Sequence, residues 1–246
     1  MRFGEGFVFT YRESWAFMLA CPLLFLVPVL GEVLQHIVEM QIGMYDSIEA
    51  AQAADADPQR MLFGFIKTLC LLLPGYWVTR FLGGKRDAQA ARTFEPRAAT
   101  LFALFFAFQA ALMAIQLFGL PRTGAYLIGA FLLSLVLNPL LARWATGAPL
   151  GLAIGPIASA RAMIGQLPWA IAFSVVVILP LMIPHYVLGA AALFAPQAAK
   201  WPVLIADSLL VGFLSSVMMA STWVIATRKT PLAPSRSPTV GPPDSA

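Results

Sequence analysis

Charge is what this sequence has least of. Aspartate, glutamate, lysine and arginine make up 11% of its 246 residues, against about 25% in an ordinary soluble domain. That shortage excludes a water-solvated surface over most of the chain. Cysteine is nearly absent too: Cys21 and Cys70 both sit inside apolar runs, so there is no disulfide framework and no CxxC site. Asn138 is the sole asparagine, and arginine outnumbers lysine twelve to four, a usage expected of a GC-rich bacterial genome. Catalytic signatures are missing as well. The sequence contains no HExxH, GxSxG, GxxxxGK[ST] or GxGxxG, and no carboxylate pair near a histidine in a nucleophilic arrangement. An enzyme is therefore disfavoured, and no cofactor or metal is expected.

Apolar length is what the sequence has instead. Hydrophobic residues make up 59% of the chain, and the mean hydropathy is +0.78. About 20 apolar residues rising ~1.5 Å each match a ~30 Å hydrocarbon core. Six such runs predict an all-α polytopic bundle with spans at about 15–34, 61–82, 100–120, 125–141, 169–195 and 203–227. Pro22 and Pro28 fall in the first, where a bend is tolerated. Pro180 and Pro184 make the fifth either kinked or a shorter span with a cap. Amphipathic stretches flank the spans. Met1–Ser14 carries Phe3, Phe7, Val8 and Tyr11 at helical spacing, and Pro156–Leu167 carries Arg161; both suit interfacial helices. The membrane domain covers 1–230, and the Pro/Ser-rich tail 231–246 is expected to be disordered. No cleavable signal peptide or lipoprotein signal is expected, since Glu5 and Glu13 interrupt the leader and too few apolar residues precede Cys21.

The net charge of +4 would suit nucleic acid, but the basic residues sit beside apolar runs, so no nucleic-acid partner is expected. Placing the loops alternately puts twelve basic residues on one side and three, Arg60, Arg122 and Lys200, on the other, with Lys67 in the membrane. The positive-inside rule then puts both termini in the cytoplasm of a bacterial inner-membrane protein. Partners are the lipid bilayer and other membrane proteins or further copies of the chain.

An amphipathic leader with aromatic residues running into the first span, and Ser159–Ala160–Arg161–Ala162 opening a later one, resemble the bacterial six-span YciC-type and glycerophosphodiesterase membrane-domain proteins. The phosphodiesterase catalytic domain has no counterpart here. The resemblance implies a membrane scaffold or a transport-assisting role and assigns no functional residue.

Candidate polar residues are few. Glu32, Lys67 and Asp207 fall at similar depth on the outer side. An unpaired charge at a helix centre costs ~2.5–3.5 kcal/mol. Pairing Lys67 with Glu32 or Asp207 would offset that and build an outward-facing cavity for an ion, proton or headgroup. In the favoured alternative Lys67 snorkels and Asp207 caps a helix or faces water. Glu32, His36 and Glu39 share a helical face near Asp46, a spacing that fits metal ligation, but the reading preferred is the solvated face of an acidic arm spanning 34–54. His185 beside Tyr186 reads as an interfacial anchor. Ser208, Gly212, Ser216 and Ala220 recur every fourth residue along the sixth span, as do Ala103, Ala107 and Ala111 along the third, spacing that lets helices approach closely. Gln109, Gln116 and Asn138 are expected to bond between helices. The leading functional expectation is a non-enzymatic envelope scaffold or lipid-handling factor. The alternative is a small transporter or ion/proton pathway through the outward-facing charge cluster.

Overall fold

The computed structural model describes residues 1–121 and 123–232. Among them there is no strand, and the chain is an all-α polytopic bundle. In order the helices are α1 (Phe3–Ala20), α2 (Pro22–Gln41), α3 (Ile48–Ala54), α4 (Pro58–Leu72), α5 (Pro74–Gly83), α6 (Ala88–Arg92), α7 (Pro96–Ala114), α8 (Gly124–Gly147), α9 (Pro156–Met163), α10 (Leu167–Phe194) and α11 (Gln197–Thr227). A π-helical turn, Ile115–Gly119, extends α7. Six segments among the described residues are long and apolar enough to cross a membrane: Pro22–Gln41, Pro58–Gly83, Pro96–Gly119, Gly124–Leu150, Pro156–Phe194 and Gln197–Thr227.

Proline sets many of the boundaries. α2, α4, α5, α7 and α9 each begin on a proline at or next to the first helical position, where its missing N–H leaves nothing unpaired. The first span is where this matters most. It does not run 15–34, because Pro22 pushes Cys21 out of the helical region (φ −132°, ψ 55°) and ends α1 at Ala20. Trp15 therefore belongs to α1, and the apolar segment is Pro22–Gln41. Prolines inside helices behave differently. α8 continues through Pro139 to Gly147, well beyond the expected end at 141. α10 runs unbroken through Pro180 and Pro184, and α11 begins at Gln197, so the expected turn 196–202 is mostly helix. Arg122 and most of the Pro/Ser-rich tail, 233–246, lie outside the described residues.

α11 is the axis of the bundle. α10, α2, α1, α8 and α5 all pack on it, and its face carrying Ser208, Gly212, Ser216 and Ala220 is buried. A Cβ at Gly212 would collide with Val29 Cγ2 of α2 and come within 3.2 Å of Phe25 Cζ. The missing side chain is what lets α2 and α11 touch. Gly31 does the same on the other side of α2, where a Cβ would stand 2.7 Å from Cys70 Cβ of α4. Ala103, Ala107 and Ala111 of α7, by contrast, lie on exposed surface and bring no helices together.

At one end of the bundle arginines close helix termini. Arg92 donates to Ala20 O at the end of α1 (2.7 Å), and Arg143 to Ala226 O near the end of α11 (3.1 Å). Arg86 forms a two-pronged bond to Glu13 of α1 at 2.6 and 2.7 Å.

Candidate functional site

The polar face of α2 is the site's foundation. Glu32, Gln35, His36 and Glu39 follow i, i+3, i+4, i+7 spacing, which stacks them on one side of the helix. That side points inward: relative exposure is 1% for Glu32, 4% for His36 and 3% for Glu39. Leu23, Leu26, Leu30 and Leu34 occupy the exposed side. The expected acidic arm lying in water is therefore wrong. Residues 34–41 are the last turns of α2, only Ile48–Ala54 forms a separate short helix, and the carboxylates face the bundle interior. Lipid inverts the rule for helices in water, since the apolar face is the one that meets solvent.

Three other helices supply the rest. From α4, Lys67 Nζ donates to Glu32 Oε1 at 2.8 Å, so the favoured expectation that Lys67 snorkels is wrong and the pairing set against it is what forms. From α11, Asp207 is fully buried and neither caps a helix nor meets water; its Oδ2 is 3.3 Å from His36 Nε2. From α10, His185 Nδ1 is 2.8 Å from Asp207 Oδ1, which makes it a member of the cluster and not an interfacial anchor. Lys67, His185 and Asp207 each lie nine or ten residues from the nearer end of the apolar segments Pro58–Gly83, Pro156–Phe194 and Gln197–Thr227, about 14 Å at ~1.5 Å per residue.

A second tier seals the cluster. Glu39 accepts from the Tyr45 hydroxyl at 2.7 Å, from Gln35 at 2.8 Å and from Arg60 Nε at 3.2 Å. Arg60 also binds the exposed Asp55 at 3.0 Å, so the network reaches the bundle surface there. Burial, and after it the charge of Glu39, push the Tyr45 phenol well above its ordinary value, which keeps it a proton donor. Lys200, expected in an external turn, is buried and donates to Tyr45 O at 2.6 Å.

Three atoms in the middle have no hydrogen-bond partner: Glu32 Oε2, His36 Nε2 and Asp207 Oδ2. One ligand atom from each of these residues fits within a 4.8 Å group. Polar atoms this deeply buried are nearly always bonded, so these three, with Gln35 Oε1 on the same face of α2, leave the arrangement unfinished among the described residues.

A second cavity, of about 250 Å³, lies nearer the arginine-rich end between α5, α7, α8, α10 and α11. Its walls include Phe102, Phe105, Gln109, Asn138, Thr146 and Met218. Gln109 Nε2 makes a long 3.5 Å contact with Asn138 Oδ1, and Gln116 one of 3.4 Å with Ser134, the interhelical bonds expected of them.

Comparison of the chain with known protein families, with curated proteins and with solved structures gives no match. These comparisons neither support nor oppose the resemblance to YciC-type and glycerophosphodiesterase membrane-domain proteins.

Proposed function

We propose that this multi-pass membrane protein is a small, non-enzymatic ion transporter whose ion-binding station is the cluster Glu32, His36, Lys67, His185 and Asp207. The reading rests on one observation: ionisable side chains from four helices converge inside the bundle, Glu32, His36 and Asp207 buried and Lys67 and His185 half-buried against them. A bundle that served only as an envelope scaffold would have no use for them. Each charge placed among membrane helices is costly, and such residues mark ion and substrate paths. Arg60 and Asp55 provide the route outward from Glu39. A bacterial inner membrane, with the arginine-rich end in the cytoplasm, is the setting that fits the basic-residue bias.

Reconstitution into liposomes tests this. Wild-type protein should carry ion flux, and Asp207→Asn and Glu32→Gln should abolish it while the protein remains folded and helical. Permeability equal to that of empty liposomes would end the transporter reading.

The cavity lined by Phe102, Phe105 and Met218 favours a second reading, lipid handling, because it is apolar with a few polar atoms at one side. Native mass spectrometry should then find a lipid that stays bound to wild type and is displaced by Ala145→Phe, which fills the cavity. Identical lipid retention in both would exclude it.

A further inference from the structure

We infer that Glu32, His36 and Asp207 form a binding site for one divalent transition-metal cation. This rests on the transporter reading for its meaning but not for its chemistry, and it names the class of ion the station holds.

The histidine decides the matter. His36 Nδ1 lies 3.0 Å from Glu39 Oε2 and 3.2 Å from the Tyr45 hydroxyl oxygen. Tyr45 gives its own proton to Glu39, so both neighbours of Nδ1 present lone pairs and Nδ1 must carry hydrogen. The other nitrogen, Nε2, then faces Glu32 Oε1 at 3.4 Å and Asp207 Oδ2 at 3.3 Å with no hydrogen bond to either. Two carboxylates this close to Nε2 call for positive charge between them: a proton on the imidazole when no metal is bound, and the metal ion when one takes that proton's place. A carboxylate that holds a histidine by one nitrogen and turns the other inward is the usual support of a metal-ligating imidazole. Glu39 is placed to be that support.

The spacing fits the same answer. Ligands ~2.1 Å from a tetrahedral metal stand about 3.4 Å from one another; the 3.3 Å from Nε2 to Asp207 Oδ2 matches, and one ligand atom from each of Glu32, His36 and Asp207 lies within 4.8 Å of the others. Lys67 occupies Glu32 Oε1 and leaves Oε2, the unpartnered oxygen, free to ligate. His185 holds Asp207 by Oδ1 and leaves Oδ2 free in the same way. Around the centre stand three carboxylates, Glu32, Glu39 and Asp207, against the side-chain cations Lys67 and Arg60, and a metal that displaces the imidazole proton meets that acidic surplus. One imidazole with two carboxylates suits Zn²⁺, Mn²⁺, Fe²⁺ or Co²⁺ over Mg²⁺ and Ca²⁺, which prefer all-oxygen shells.

The test uses full-length protein in detergent, stripped of metal with a chelator and titrated with Co²⁺ and with Zn²⁺. The expected result is one equivalent bound per chain, with Co²⁺ absorption bands of a low-coordinate nitrogen/oxygen site. Glu39→Gln, which leaves all three ligands in place, should weaken binding by about tenfold or more. His36→Gln should abolish the bands, and Glu49→Gln, on the exposed surface of α3, should leave them unchanged. Failure of the wild-type chain to bind, or equal binding by wild type and His36→Gln, overturns the site. If Asp207→Asn still stops flux of a monovalent ion in liposomes while no metal binds, the metal site falls and the transporter stands. If metal binds with no flux of any ion, the reverse holds.

Discussion

Glu32 and Lys67, 35 residues apart in sequence, meet at 2.8 Å where α2 crosses α4. The lysine side chain is 18% exposed and the glutamate 1%. Removing one partner of a buried pair leaves the other charge stranded and costs about 3 kcal/mol or more. Lys67→Met should therefore destabilise the protein strongly, and adding Glu32→Gln should restore part of the loss. Thermal unfolding of the two single variants and the double variant in detergent measures the coupling. Simple additivity would mean the two groups do not interact.

Gly212 should tolerate no side chain. A Cβ there collides with Val29 and crowds Phe25, and overpacking of this kind costs about 1–3 kcal/mol. Gly212→Ala should lower the unfolding temperature, and pairing it with Val29→Ala should recover stability. No change in Gly212→Ala would show that α2 and α11 are not held in contact.

Glu13 predicts a pH dependence. Burial resists its ionisation, but the guanidiniums of Arg86 and Arg12 outweigh burial and hold the carboxyl below its ordinary value of 4.5. A depressed carboxylate contributes stability that is fully present above its unfolded value and is lost as pH falls through the folded one. Wild type should thus lose stability below about pH 4. Glu13→Gln should already be less stable at neutral pH and show a flatter acid limb. Parallel curves for the two proteins would contradict this.

The turn after α5 carries two non-glycine residues in the left-handed region, Lys85 (φ 55°) and Arg86 (φ 72°). Each is strained by about 1 kcal/mol or more. Among the described residues Lys85 makes no bond to another side chain there, whereas Arg86 grips Glu13. Lys85→Gly should raise the unfolding temperature and Arg86→Gly should lower it. Equal responses would contradict the distinction.

The sequence and the structure part company at identifiable residues. Hydropathy alone located the six apolar segments, because length and composition are all that a bilayer demands. The Glu32–Lys67 pair was half legible: equal depth named Glu32 and Asp207 as possible partners, but nearness to the interface favoured a snorkelling lysine, and only the crossing of α2 and α4 decides it. His36 and Glu39 were misread because a polar stripe was taken to face water. The signal that could have corrected this is continuity: the stripe begins at Glu32, inside the apolar run, and keeps the same face to Glu39. His185 was missed because its partner Asp207 lies on another helix, a pairing that only tertiary packing reveals. The break at Cys21 was within reach, given that Pro22 follows it, but a bent single span satisfied the same length rule.

The two prolines of α10 have a consequence for how the cluster can move. Pro180 and Pro184 each lack the amide that would bond one turn back, so two successive rungs of that helix are missing immediately before His185. Pro28 in α2 and Pro202 in α11 leave similar gaps ahead of Glu32 and Asp207, but Gly31 seats α2 tightly on α4 and Gly212 seats α11 on α2. α10 thus carries a double hinge directly before the histidine that holds Asp207.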